Sequence, residues 1–122
     1  MTQMTQSTGV TDASDPEDRK IITLARAARA RTQATQGAAV RDTDGRTYAA
    51  TSIELPTLRL SATQLAVAMA VSSGAPGLEA VAVVGAESLA ETDRSAIRDL
   101  GGPDVVVWLT DADGAVIERT TP

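Results

Sequence analysis

The chain has 122 residues, a formal net charge of −5, and neither cysteine nor histidine. This length suits one domain with a hydrophobic core. Without cysteine and histidine there are no disulfides, thiolate nucleophiles, imidazole bases or usual zinc ligands, and we expect no cofactor. The negative charge and the scarcity of aromatic residues, one Trp and one Tyr, argue against a nucleic-acid partner.

The distribution of apolar residues along the chain bears on its location. No apolar run is long enough to span a membrane, so we expect no membrane partner. The N-terminus lacks the apolar segment of a signal peptide, which favours a cytoplasmic protein. Residues 1–14 are rich in Thr, Gln and Ser and are predicted to form a disordered tail. Residues 15–122 are predicted to form the single domain.

The first half of the domain is predicted to contain a helix and a hairpin. Asp15 is a good N-cap and Pro16 suits the first helical position, so a helix is expected from there to about Arg31. Two strands, 37–40 and 46–54, follow it. The Asp-Gly pair between them is typical of a β-hairpin.

A second helix is expected from residue 62 to residue 73. Ser61 and Gln64 form a capping-box pattern, Ser-x-x-Gln, at its start. Gly74 is the expected C-cap. Because the helix is apolar nearly all the way round, the sequence predicts that it is buried on every side.

The second half is predicted to alternate strands and helices. An apolar strand at 79–85 precedes a helix that begins at Ser88, with a second capping box formed by Glu91. Strands at 105–110 and 115–119 complete the chain. The order α-β-β-α-β-α-β-β predicts a three-layer α/β/α fold around a mixed five-stranded sheet.

Several local motifs occur in the same order as in a known family. The motifs are Gly-Ala-Ala-Val at 37–40, Asp-Gly-Arg-Thr-Tyr at 44–48, Ser-Ile-Glu at 52–54 and Ala-Val-Ser-Ser-Gly at 70–74. Together with the element order, they resemble the cytidine deaminase family from about Asp18 to Arg119. The resemblance implies the fold of that family.

Active members of that family bind zinc at two helix starts, through Cys-Ala-Glu and Pro-Cys-x-x-Cys, and the Glu shuttles protons. The matching positions here are Ser61 and Thr63 in the first motif, and Ala90 and Asp93 in the second. Serine is a poor zinc ligand at neutral pH, and Thr63 cannot act as a carboxylate base. Ala90 offers no ligand. The resemblance therefore implies a member with neither metal ligands nor catalytic residues.

Ser52 and Glu54 match the family's ribose-binding positions. One interpretation of Glu54 is a residual contact with a sugar hydroxyl. The other is a residue left over without a role, or a carboxylate that accepts backbone N–H groups of the nearby loop. For Glu91 and Asp93 we weigh a metal site against a solvated helix face, and we expect the solvated face.

Three functional hypotheses follow from the resemblance. The first is a catalytically inactive relative that acts as a structural or interaction protein, as a homodimer, a homotetramer or bound to another protein. The second is a module that binds a pyrimidine nucleoside or nucleotide through Ser52 and Glu54. The third is an active enzyme that hydrolyses cytidine to uridine, which needs the hydroxide that zinc supplies in this family.

Overall fold

A computed structural model describes residues 12–122 of the chain. Within that range the chain forms three helices and seven strands in the order predicted, with one added short strand pairing. They are α1 (Pro16–Thr32), β1 (Gly37–Asp42), β2 (Thr47–Thr51), β3 (Ile53–Glu54), β4 (Arg59–Leu60), α2 (Ala62–Ser72), β5 (Leu78–Val84), α3 (Glu91–Gly101), β6 (Val106–Thr110) and β7 (Val116–Thr120).

Five strands form one sheet in the order β2-β1-β5-β6-β7. Strands β5 and β6 run parallel, and the other neighbours run antiparallel. The predicted mixed five-stranded sheet is therefore confirmed. The predicted strand 46–54 divides into β2 and β3, and β3 leaves the sheet to pair with β4 in a separate two-stranded ladder.

Helices cover both faces of the sheet, as the predicted three-layer fold requires. Alternate side chains of the central strand β5 point to opposite faces. Val81 and Val83 belong to the core cluster under α2 and α3. Ala80 and Ala82 belong to the cluster under α1. The sheet is thus buried on both sides at its centre.

The start of α1 agrees with the sequence prediction. The Asp15 side chain caps the helix by accepting the Glu17 N–H at 2.8 Å. The helix lies very close to β1, because a Cβ on Gly37 would overlap the carbonyl oxygen of Ala25. Only glycine fits at that point of β1.

Most of the predicted disordered tail, residues 1–14, lies outside the described residues. Of its last three residues, Ala13 is buried in the core cluster under α1. None of the helices in the described part combines the length and apolar character that a membrane crossing requires.

The capping box of α2 is present, but the predicted burial of this helix is wrong on one side. Ser61 Oγ accepts the Gln64 N–H at 3.0 Å, and Gln64 Oε1 accepts the Ser61 N–H at 3.1 Å. The helix packs against β1, β2 and α3. These elements cover one side only, and they leave Met69 37% and Val71 54% exposed on the other.

The second predicted capping box is wrong. Helix α3 begins at Glu91, and its N-cap, Ala90, makes no side-chain hydrogen bond. The Glu91 carboxylate instead accepts Arg98 Nη2 at 2.9 Å. Because Leu89 is buried in the core, the residues before it do not join the helix, and Ser88 stays in the loop.

A buried polar network links α1 to the sheet. Asp18 Oδ1 and Arg41 Nη1 lie 3.0 Å apart as an ion pair, although their alignment falls short of a hydrogen bond. Trp108 Nε1 donates to the other Asp18 oxygen at 3.1 Å, and Arg41 Nε donates to Glu79 at 3.0 Å. Burial alone would lower the pKa of Arg41, but its two carboxylate partners raise it.

The β1–β2 hairpin is organised by a buried carboxylate. Asp42 Oδ1 accepts the N–H groups of Asp44 and Arg46, each at 2.9 Å, and Oδ2 accepts the Tyr48 hydroxyl at 2.9 Å. Burial alone would raise the pKa of Asp42, but these hydrogen bonds lower it below its usual value. Burial and the Asp42 contact raise the pKa of Tyr48.

Candidate functional site

A cavity of about 350 Å³ lies where the α1–β1 loop, the β3–β4 ladder and the N-terminus of α2 meet. It brings together Ser52, Glu54 and Ser61 of the predicted site residues. Thr63, Ala90 and Asp93 do not line it. The lining residues are Thr35, Gln36, Ser52, Ile53, Glu54, Arg59, Leu60 and Ser61.

Ser52 and Glu54 differ in how firmly they are held. The backbone N–H of Ser52 donates to the Gln36 carbonyl at 3.1 Å, and its hydroxyl accepts the Gln36 N–H at 3.4 Å. Glu54 is exposed. Among the hydrogen bonds and ion pairs of residues 12–122, none involves its carboxylate, so for this structure the interpretation of Glu54 as an acceptor of backbone N–H groups is wrong. Its oxygens are open to a ligand in the cavity.

Arg59 is a cavity residue that the sequence did not single out. It lies directly opposite Glu54 in the β3–β4 ladder, so the two side chains share one face. Within the described part of the chain, no ion pair involves either of them. The short segment 55–60 reads as a loop, and only the pairing of β4 with β3 could have revealed this juxtaposition.

Ser61 and Asp93 contact each other across the two helix starts. Ser61 Oγ donates to Asp93 Oδ1 at 2.6 Å. Asp93 lies in the first turn of α3 and is only 6% exposed. The predicted solvated face is therefore wrong for Asp93. The carboxylate is buried because it faces the N-terminus of α2.

Two further predicted positions offer little to a ligand. Thr63 is fully buried, and its hydroxyl has no hydrogen-bond partner among the described residues. Ala90 is exposed and has no polar side-chain atom. Residues 12–122 contain no group of three or more His, Cys, Asp and Glu side chains arranged to hold a metal ion.

A larger cavity of about 410 Å³ lies between α1 and the β6–β7 turn. Its lining includes Arg19 and Arg26 of α1 and Asp113 of the turn. None of the predicted site residues reaches it. The smaller cavity is therefore the candidate site, because the residues matched by the family motifs converge there.

Comparisons with known proteins agree with this fold. The sequence profile of the family described as "Cytidine deaminase-like" matches residues 14–114. No curated protein sequence matches the chain significantly. The structure of cytidine deaminase from Burkholderia pseudomallei is similar with a TM-score of 0.73 and 27% identity, over 84% of this chain and 90% of that one.

Two mycobacterial structures share the fold at lower identity. Cytidine deaminase from Mycobacterium leprae gives a TM-score of 0.67 and 23% identity, over 84% of this chain and 90% of that one. Cytidine deaminase from Mycobacterium tuberculosis gives a TM-score of 0.67 and 24% identity, over 76% of this chain and 85% of that one. By the profile match across most of its length, this chain belongs to the cytidine deaminase-like family.

Proposed function

We propose that this chain is a family member that does not deaminate cytidine and that acts as a structural or interaction protein by self-association. The observation that carries this proposal is a set of exposed large apolar side chains on α2 and on the turn between β3 and β4. Two lie on the helix, Met69 and Val71, and two lie in the turn between β3 and β4, Leu55 and Leu58. We call these four residues the apolar surface.

The charge of the apolar surface favours a second copy of the chain as its partner. The protein carries a net charge of −5, so two copies repel each other on average. The segments that carry the apolar surface, 55–58 and 62–72, contain no charged residue. Two copies related by a two-fold axis can therefore bring these surfaces together without opposing like charges.

The residues at the family's catalytic positions support the absence of deamination. Zinc catalysis needs ligands that activate a water molecule. The Ser61 hydroxyl donates to Asp93 and accepts the Gln64 N–H, and the Thr63 side chain has no carboxylate.

Sedimentation or light scattering from micromolar to near-millimolar concentration tests the association. We expect a dimer or tetramer for the native chain and a monomer for Val71→Asp. The matched control is Ala27→Asp, an exposed position on α1, which should leave the mass unchanged. A monomeric native chain, or loss of association in both variants, would contradict the proposal.

Deamination is tested directly with cytidine and protein of measured metal content. We expect no release of ammonia above the rate in buffer. Ammonia release that scales with protein and with bound metal would overturn the non-catalytic proposal.

The cavity favours a second candidate function, the binding of a nucleoside or nucleotide without chemistry. A volume of about 350 Å³ is within the range that holds small ligands. Glu54 can accept hydrogen bonds from sugar hydroxyls, and Arg59 can pair with a phosphate. Because the two side chains lie opposite each other without an ion pair, one ligand can contact both.

Thermal unfolding with cytidine, uridine and their monophosphates tests this candidate. A ligand at about 100 times its Kd adds roughly 2.7 kcal/mol of stability, which is a measurable rise in Tm. Glu54→Ala should abolish the rise for nucleosides and monophosphates alike. Arg59→Ala should abolish only the extra rise that the phosphate provides. An unchanged Tm with every ligand would exclude the binding function and leave the association intact.

A further inference from the structure

The N-termini of α2 and α3 meet through one short hydrogen bond. Ser61 is the N-cap of α2, and its Oγ donates to Asp93 Oδ1 at 2.6 Å. The same oxygen accepts the Gln64 N–H at 3.0 Å. The Ser61 hydroxyl therefore caps its own helix and, at the same time, binds the neighbouring helix.

The surroundings of Asp93 strengthen this bond. The carboxylate is only 6% exposed and lies in the first turn of α3. The N-termini of helices carry a partial positive charge, which favours a carboxylate there. A hydrogen bond from a hydroxyl to a carboxylate is shorter and stronger than one between neutral groups, and 2.6 Å is within that class.

The residues at these helix starts do not fit a zinc ion. A zinc site needs three or four nitrogen, sulfur or carboxylate ligands. Asp93 supplies one carboxylate, Ala90 supplies no ligand atom, and the hydroxyl of Ser61 already has two partners. The described residues hold no group of three His, Cys, Asp or Glu side chains that could bind a metal.

We propose that the Ser61–Asp93 hydrogen bond takes the place of a metal as the cross-link between α2 and α3. The protein then folds, and keeps the shape of its cavity, without any metal. Ser61 lines the cavity, so Asp93 acts as a positioning residue for one wall of the site. This inference holds for either candidate function, because it concerns how the site is built.

Thermal unfolding of substituted proteins tests the cross-link. Asp93→Ala removes the acceptor and leaves the α2 capping box intact, and it should lower Tm by roughly 5 °C or more. Asp93→Asn keeps an acceptor without the charge and should lower Tm by less. The matched control is Ser88→Ala, an exposed serine of the loop before α3, which should leave Tm unchanged.

A double-mutant cycle separates the cross-link from the cap. Ser61→Ala loses both, so the double variant with Asp93→Ala should be less destabilised than the sum of the two single variants. Additive losses would show that the two side chains do not act together and would overturn the proposal. An Asp93→Ala protein as stable as the control would do the same.

Metal dependence is measured on the native chain, so the test does not rely on any variant folding. We expect the same Tm with excess EDTA and with added zinc, and no zinc retained after dialysis. A Tm lowered by EDTA, or raised by zinc with one ion retained per chain, would refute a metal-free cross-link.

Discussion

Replacement of Asp18 by alanine should destabilise the protein far more than replacement of Glu79, although both carboxylates contact Arg41. The Asp18 side chain is 11% exposed and the Glu79 side chain 46%. Loss of Asp18 leaves the buried Arg41 Nη1 and the indole N–H of Trp108 without their buried acceptor. Loss of Glu79 leaves Arg41 paired with the buried Asp18 at 3.0 Å, and it removes only a half-exposed carboxylate whose attraction for Arg41 is screened by water.

The contacts of Asp18 set the expected magnitude. Breaking a buried ion pair costs about 3–5 kcal/mol, and a buried donor without an acceptor costs about 1–3 kcal/mol. The substitution affects Arg41 and the Trp108 indole N–H. Because Arg41 keeps its hydrogen bond to Glu79 at 3.0 Å, we expect a total of roughly 3 kcal/mol, at the low end of the buried-pair range. For Glu79→Ala we expect less than about 1 kcal/mol.

Urea denaturation followed by the fluorescence of Trp108 measures both effects, since this is the only tryptophan of the chain. With an m-value of about 1–3 kcal/mol/M, the Asp18→Ala midpoint should fall by roughly 1–3 M. Circular dichroism of the same samples guards against a purely local change at the indole. Equal midpoint shifts for the two variants would refute the reasoning, because burial would then not decide the cost.

Three further predictions concern the hairpin, the glycines and the leucines. The hydrogen bonds that lower the pKa of Asp42 in the folded protein stabilise it above about pH 4, and this contribution is lost as the pH falls through the lowered folded pKa. The urea midpoints of the native chain and Asp42→Asn should therefore converge on acidification. Gly37→Ala should lower the free energy of unfolding by more than about 2 kcal/mol, because the added methyl group clashes with α1. Gly45 lies in open space at a φ of 85°, so Gly45→Ala should lower it by only about 1 kcal/mol. Leu89→Ala should lower the free energy of unfolding by about 2–5 kcal/mol, because it leaves a cavity in the core. Leu55 is 53% exposed, so Leu55→Ala should change the free energy of unfolding of the monomer by no more than about 0.5 kcal/mol.

Local signals in the sequence predicted local structure well. The Ser61–Gln64 capping box forms because both partners lie within one helical turn, and the Ser61 hydroxyl can accept the Gln64 N–H while it donates to Asp93. The same pattern at Ser88 and Glu91 fails. There the burial of Leu89 fixes the preceding chain in a loop, and Glu91 binds Arg98 instead. A capping pattern therefore predicts a helix start only where the core permits the helix to begin there.

The sequence does not predict contacts between residues that lie far apart in the chain. Nothing near Asp18 in the chain indicates that Trp108 would be its partner. The sequence predicts a solvated Asp93, because Glu91 and Asp93 lie two residues apart and point to different faces of the helix. The burial of Asp93 depends on where α2 begins. For the same reason the juxtaposition of Glu54 and Arg59 requires the β3–β4 ladder, which the sequence did not predict.

The order of strands in the sheet limits how copies of this protein can assemble. Its two edges are β2 and β7, and an open edge strand can recruit a strand from another molecule. On β7 the exposed Glu118 and Arg119 place charges on the edge, which disfavours such pairing. These charges therefore disfavour a continuous sheet that extends through many molecules. Association through helix surfaces related by a two-fold axis can instead give a closed, symmetric oligomer.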